Sequence, residues 1–314
     1  MTEPATGPHP LIQRLEGLHL FGFDAAPCSQ RVAFALAEKG LARARRVRWQ
    51  SEAPEALAAE DGRYLFREVS LVRGEHLTQD YARIHPHLVV PALVHDGRLV
   101  LESLDIIAYL DRSFGGTPLV PQAPATAARH AEWLARASAL HVCVRYVSFH
   151  WSLGALGRIS ADKEALLDDV EQEDSPEQLG AFYGLYNRRA ISNDTFVQHL
   201  RRLEAAFSDI ERIVAGDGQG YLLGDFSVAD MVWAVKVRRL IECGYPFDSH
   251  YPALAAWYAR VAARPGFHSG IAGRQRFMHT AFRLKAALAK LAGGGIGAVA
   301  RPADYNGGPA AEHA

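Results

Sequence analysis

The chain has 314 residues, a formal net charge of −1 and 49% hydrophobic residues. That length suits two domains whose cores need no cross-links. Near-neutrality favours neither nucleic acid nor an anionic membrane as a partner.

The three cysteines, Cys28, Cys143 and Cys243, stand far apart. They form no disulfide framework and no metal-ligand spacing, which points to a reducing compartment and to no structural metal. The opening "MTEPATGPHP" has no basic region leading into an apolar run, and no apolar run approaches the length of a membrane span. A soluble cytoplasmic protein is the expectation.

Residues 1–16 read as a flexible leader. "GLHLFGF" predicts a short buried strand over Leu18–Phe21. The stretch "DAAPCSQRVAFALAEKG" predicts a helix from Pro27, with apolar positions Val32, Phe34, Ala35 and Leu36 and a stop at Gly40. "ARRVRWQ" alternates enough for a second strand, Ala44–Gln50. Residues 51–80 are polar and mixed and read as an excursion with a short helix. In "VVPALVHDGRLVLES" two apolar runs flank Asp96-Gly97, a strong hairpin signal, with strands Ala92–Val94 and Leu99–Leu101. The helix "LDIIAYLDRSF" follows, with Ser103 as its N-cap. One α/β domain over 17–114, with antiparallel and parallel strands in one sheet, accounts for this half.

"GGTPLVPQAPAT" is rich in Gly and Pro and marks a linker at 115–126. Beyond it strand signals nearly vanish, so 127–280 reads as an all-helical domain. Its opening stretch, 127–158, reads as one long helix or two. "TFVQHLRRLEAAFSDIERIVAG" has apolar residues at 3–4 spacing. "SVADMVWAVKVRRLIECG" opens with Ser227 and Asp230 at the spacing of a capping box. In "YPALAAWYARVAARPGF" Pro252 lies in a first turn and Pro265 past an end. Residues 281–314 read as a C-terminal extension, mobile at its small-residue end.

Taken together, "HPHLVVPALVHDGRLVLESLDIIAYLD", "GDFSVADM" and "YPALAAWYARVAARPGF" resemble the cytosolic glutathione transferase family over roughly Gly17 to Phe267. The specific set is valine-proline before a strand, a Glu-Ser pair opening a helix, and a capped helix in the second half. The resemblance implies a thioredoxin-like first domain, a helical second domain, glutathione as cosubstrate and a homodimer. Carried over by position, Pro91 is cis and Val90 pairs through its backbone with the cysteinyl part of glutathione. Glu102 and Ser103 hold the γ-glutamyl end. Physics agrees, since a helix N-terminus offers free N–H groups to a carboxylate and Glu102 can take the ammonium. The plainer reading of Ser103 and Glu102 is a cap and a first-turn acid. His85 and His87 flank the loop before Pro91, and one of them, His87 by choice, could reach the glycyl carboxylate; both also fit a solvated loop.

A free thiol titrates near 8.5, so only a few per cent is thiolate at neutral pH, and lowering that by two units is worth about 2.7 kcal/mol. In family members using Ser or Cys for this task, the side chain lies five residues before the arginine here written Arg31. That position is Ala26, which can neither donate nor attack. The tyrosine of other classes is matched by Phe21 and Phe23. Two substitutes lie close: Ser29 could donate its hydroxyl, and Cys28 could donate S–H or form a mixed disulfide. "PCSQRV" is similar to the zeta-like pattern, with a cysteine three before the arginine. Cys28 could also pack inward as a small hydrophobe. Tyr146, Phe149 and His150 fall near one face of a helix and are candidates for the electrophile pocket, or for plain core. The insertion "DSPEQLGAFYGLYNRRAISNDTF" resembles the bacterial β-aryl etherase branch, whose members cleave lignin-derived ethers with glutathione. The function expected is attack of glutathione thiolate on a small hydrophobic electrophile. The alternatives are a non-catalytic glutathione-binding module and a thiol–disulfide reductase using Cys28.

Overall fold

A computed structural model of the chain describes residues 8–51, 62–170, 178–216 and 220–302. The first half is built round β1 (Leu18–Gly22), buried along its whole length. A strand covered on both faces has no reason to alternate, and this one does not. The preceding α1 (Pro10–Gln13) with Leu15 sends three apolar anchors, Leu11, Ile12 and Leu15, into a cluster with Phe21, Ala92 and Val94. The flexible leader expected over 1–16 is therefore packed from residue 8 onward; residues 1–7 lie outside the described residues.

α2 (Pro27–Glu38) buries Val32 to Leu36 and is closed by Gly40 at φ +76°, the left-handed conformation that ends a helix. β2 (Ala42–Arg48) lies at the sheet edge, and β3 (Arg63–Glu68) runs parallel between it and β1. β3 corrects the reading of 51–80 as an excursion with a short helix. Its apolar run, Tyr64-Leu65-Phe66, is only three residues long and is framed by Arg63, Arg67 and Glu68, so neither strand period is visible. Only the neighbours make it central. Arg67 is fully buried there, donating to the His19 ring at 3.0 Å and to the carbonyls of Trp49 (3.0 Å) and Ser51 (2.7 Å). The expected short helix does occur, as α3 (Gln79–Ala82), capped by Thr78. β4 (Ala92–His95) and β5 (Arg98–Val100) form the hairpin; Asp96 (φ +49°) and Gly97 (φ +74°) make the two left-handed residues of its turn. The sheet order is β2-β3-β1-β4-β5, with β4 antiparallel to β1. α4 (Ser103–Ser113) follows.

Asp111 of α4 accepts the N–H groups of Leu119 (2.9 Å) and Val120 (3.1 Å) and the Lys39 ammonium (3.1 Å), which fastens the linker to the first domain. The second half is helical: α5 (Pro124–Ala139), α6 (His141–Ser148), α7 (Ala161–Val170), α8 (Leu179–Asn187), α9 (Asn193–Gly216), α10 (Val228–Glu242), α11 (Phe247–His250), α12 (Pro252–Ala262), α13 (Pro265–Gly270) and α14 (Arg276–Leu291). The opening stretch is two helices, continued by a π-helical turn over Phe149–Leu153. The capping box of Ser227 and Asp230 is present in full. The insertion carries α8, whose Leu179, Phe182 and Tyr183 pack with Leu167 of α7 and with Leu77 and Leu88 of the first domain; residues 171–177 lie outside the described residues. α14 runs through the boundary expected at 280–281, and Ile296 returns to the core at 1% exposure. The mobile end expected at the C-terminus falls on residues 303–314, which lie outside the described residues.

α2 is the seam between the halves, packing on α10 and α13. Arg264 clasps Glu38 across it with bonds of 2.6 and 3.1 Å.

Candidate functional site

The turn from Phe23 to Ala26 leads β1 into α2, and four side chains hold it. Arg43 grips the Asp24 carboxylate twice, at 2.6 and 3.1 Å. Gln30 donates to the Asp24 carbonyl at 3.1 Å. Ser29 accepts the Phe23 N–H at 3.2 Å. Arg239, reaching from α10 across the seam, donates to the Ala25 carbonyl. Ala26 is the N-cap residue of α2 and has no side-chain oxygen to cap with. The first helical bond is Gln30 N–H to Ala26 C=O at 2.9 Å, so the N–H groups of Cys28 and Ser29 are helix-terminal donors.

Cys28 and Ser29 are placed differently. Ser29 is 2% exposed, with its hydroxyl against the turn, and a Cβ on Gly22 would lie 3.0 Å from it. Cys28 is partly exposed. The Arg31 guanidinium donates to its sulfur at 3.2 Å, and His141 Nε2, at the start of α6, stands 3.7 Å away. The sequence shows the Cys28–Arg31 spacing but not the third member of this grouping. The i, i+3 spacing of Cys28 and Arg31 was a usable signal; nothing local points to His141, 113 positions away.

The Val90–Pro91 bond is cis. The loop before it is pinned by the Tyr81 hydroxyl, which donates to the Val89 carbonyl at 3.0 Å. Val90 packs with Ala26 and Phe21, with Leu101 beside them, so the start of α2, the Pro91 loop and the start of α4 share one corner. Among the described residues, no hydrogen bond uses the Val90 N–H or C=O. His87 is exposed in this loop, its ring 5.9 Å from that of His85. His85 is buried, and burial lowers it to about 4.

At the start of α4 the expected N-cap shifts by one residue. Glu102, exposed, takes the capping position at φ +57°, ψ +119°, and Ser103, 4% exposed, is the first helical residue. The Ile106 N–H bonds to the Glu102 carbonyl at 2.8 Å, which fixes this frame. Such a conformation in a non-glycine residue costs on the order of 1–3 kcal/mol and tends to occur at ligand clamps.

Tyr146, Phe149 and His150 are half-buried in an aromatic cluster formed with α8 and α9. Tyr146 stacks on His199 at 3.9 Å and meets Phe182 edge-on at 4.9 Å; Phe149 meets Phe182 at 4.9 Å; His150 stacks on Phe196 at 4.1 Å. Tyr146 and Phe149 also pack with Leu88 and Val89, on the approach to Pro91. A separate cleft of about 130 Å³ lies beside the β1–α2 turn, walled by Phe23, Asp24, Ala25, Gln275, Phe277 and Met278.

A mixed thioredoxin-like sheet, a helical second domain and a corner made from a helix N-terminus, a cis-proline loop and a Glu-Ser helix opening define a two-domain protein of the glutathione-using class. The family descriptions "Glutathione S-transferase, N-terminal domain" and "Glutathione S-transferase, C-terminal domain" match residues 20–118 and 131–260. Glutathione S-transferase Z2 of Arabidopsis thaliana is 30% identical over 82% of this chain and 92% of its own. Probable glutathione S-transferase GSTU1 of Oryza sativa subsp. japonica is 30% identical over 77% and 84%. The chain belongs to the glutathione S-transferase family, and its cosubstrate is glutathione. The solved beta-etherase LigF from Sphingobium sp. strain SYK-6 superposes with a TM-score of 0.64 at 22% identity, over 81% of this chain and 98% of that one, a likeness of fold. Among the described residues, no helix is long and apolar enough to cross a membrane.

Proposed function

We propose that the protein catalyses attack of the glutathione thiolate on a small hydrophobic, aromatic electrophile, by conjugation or by β-aryl ether cleavage. In the cleavage a C–S bond forms, the C–O bond breaks, and the departing aryloxide takes a proton from water. One observation carries the reading. The loop over 88–91 belongs to two clusters at once: Val90 packs with Ala26 at the start of α2, while Leu88 and Val89 pack with Tyr146 and Phe149. A tripeptide along that loop has its sulfur toward the helix start and aromatic surface close by. Holding thiolate and electrophile in line is then the main catalytic contribution.

In this reading the Val90 N–H and C=O pair with the cysteinyl unit. Glu102 takes the ammonium, and Ser103 with the first-turn N–H groups takes the γ-glutamyl carboxylate. His87 faces the glycyl carboxylate. The thiolate is stabilised by the N–H groups and dipole of the first turn of α2, with Cys28 beside it and Ser29 shaping the turn from below. Tyr146, Phe149 and His150 line the electrophile's side. The likeness to a structure named beta-etherase supports the ether branch.

The grouping of Cys28 with Arg31 and His141 favours a second reading, a thiol–disulfide reductase. There the Cys28 thiolate attacks the glutathionyl sulfur of a mixed disulfide and expels the substrate thiolate. A glutathione thiolate then frees Cys28 and leaves as glutathione disulfide.

The test mixes pure protein and glutathione with an aryl ether, an aryl halide and a glutathionylated peptide. A thioether detected by mass spectrometry supports the first reading. Release of the peptide thiol alone, abolished by Cys28→Ser, supports the second. Glutathione binding with neither product leaves a non-catalytic module. A homodimer, a cytoplasmic location and a detoxifying role accompany the proposal, and light scattering at twice the 34.4 kDa chain mass checks the first of these.

A further inference from the structure

α14 presents a surface that the proposed chemistry does not use. Phe277, Leu284, Leu288 and Leu291 are 86%, 60%, 58% and 85% exposed. At 100° per residue they fall within an arc of about 60°, a single stripe along the whole helix. Away from the stripe the helix is already docked. His279 bonds to Glu242 of α10 at 3.1 Å, Lys285 donates to the Ser152 carbonyl, and just before the helix Gln275 meets Gln30 of α2 at 2.8 Å. Past its end, Ile296 is back in the core. The helix is thus held by one side and cannot turn its stripe inward.

The charge on this helix is one-sided. It carries Arg276, Arg283, Lys285 and Lys290 and no acidic residue, in a chain whose net charge is −1. Arg276, Arg283 and Lys290 follow one another at seven-residue spacing along one flank of the stripe, each directly before a stripe residue; Lys285 lies on the other flank. Among the described residues, no acidic side chain pairs with Arg276, Arg283 or Lys290. An apolar stripe with a row of cations unpaired with acids along its flank is the pattern of a helix lying in a lipid–water interface. A second copy is a poor occupant: its α14 would bring cations against cations, with no acid on either helix to neutralise them. An anionic lipid surface takes the stripe into the acyl boundary and the cations at its headgroups.

We propose that α14 is a peripheral docking face for an anionic lipid membrane, lying along the surface and not crossing it. Phe277 belongs to both the stripe and the cleft beside the β1–α2 turn, so the docked face adjoins that cleft.

The test is flotation of the full chain with vesicles of phosphatidylcholine alone and of phosphatidylcholine with one third phosphatidylglycerol. The expected result is at least tenfold more protein bound to the anionic vesicles at low salt, with binding falling as salt rises. Leu284→Glu with Leu288→Glu, and separately Arg283→Glu with Lys290→Glu, should each reduce it at least tenfold. Unchanged circular dichroism and melting show that these variants fold. No flotation with either vesicle overturns the proposal, as does binding that both double variants retain. A dimer seen by light scattering that the leucine variant dissociates, without vesicle binding, assigns the stripe to a second copy and equally overturns it.

Discussion

In the proposed binding mode Ala26 stands where a side-chain hydroxyl or thiol would meet the glutathione sulfur, and the helix-terminal N–H groups of Cys28 and Ser29 are the donors next to it in the chain. Cys28 and Ser29, in the first turn of α2, should separate on substitution. Ser29→Ala leaves the half-buried Phe23 N–H without its partner and should lower stability by about 1 kcal/mol, read as a fall in melting temperature. Cys28→Ser removes a partly exposed thiol and should leave melting within about 0.5 kcal/mol while changing turnover or disulfide chemistry. At the other end of the tripeptide, the proposed mode gives Glu102 a charge-assisted bond worth about 1.5–3 kcal/mol, so in Glu102→Ala glutathione affinity by calorimetry should fall roughly 10- to 100-fold. Ser103→Ala should cost less, because the first-turn N–H groups remain. An unchanged affinity in Glu102→Ala would remove the carboxylate from the clamp.

The elements divide by how local their causes are. The hairpin at Asp96-Gly97, the Gly40 stop and the Ser227–Asp230 box were readable because each is set by residues within a few positions. β3 was not readable, since three apolar residues between charges become a central strand only once β1 and β2 lie on either side. The shift of the α4 cap from Ser103 to Glu102 was hidden for a similar reason: a serine favours the cap, and the return of the chain from β5 overrides it. Packing between elements yields its own prediction. A Cβ on Gly270 of α13 would lie 2.6 Å from the Ala33 carbonyl oxygen and 3.0 Å from the Phe34 Cα, all backbone of α2. Gly270→Ala must push the two helices apart at the domain seam. It should destabilise by more than about 2 kcal/mol in a denaturant titration, whereas Gly216→Ala, with open space around its Cβ, should not.

At the scale of the whole molecule, buried histidines among the described residues tie stability to pH, His19, His76 and His85 most strongly. Burial holds His19 at about 4, His76 at about 3 and His85 at about 4, below the ordinary 6.5. For His19 the geometry gives a further reason. Arg67 donates to its Nδ1 at 3.0 Å and its Nε2 faces the Glu16 carbonyl at 2.9 Å, so a second proton would point at a guanidinium. Between pH 6.5 and about 4 the unfolded chain binds protons that the folded chain does not, so stability falls as pH drops through that window and is unaffected above it. At pH 5 each group should cost on the order of 2 kcal/mol. The melting temperature should therefore drop sharply from pH 7.5 to 5, and His85→Gln should flatten that dependence. The cis Val90–Pro91 bond came from the resemblance to the family; what the sequence by itself determined were the α/β half followed by a helical half, the hairpin, the helix stops and the Ser227–Asp230 box. All of these rest on a residue's own backbone preference or on neighbours within a turn. What only the tertiary structure decided were the place of β3, the meeting of Cys28 with His141, and a cationic apolar face on α14 that a near-zero net charge conceals. Each depends on which distant segments are brought together, and which are left facing outward, when the chain closes on itself.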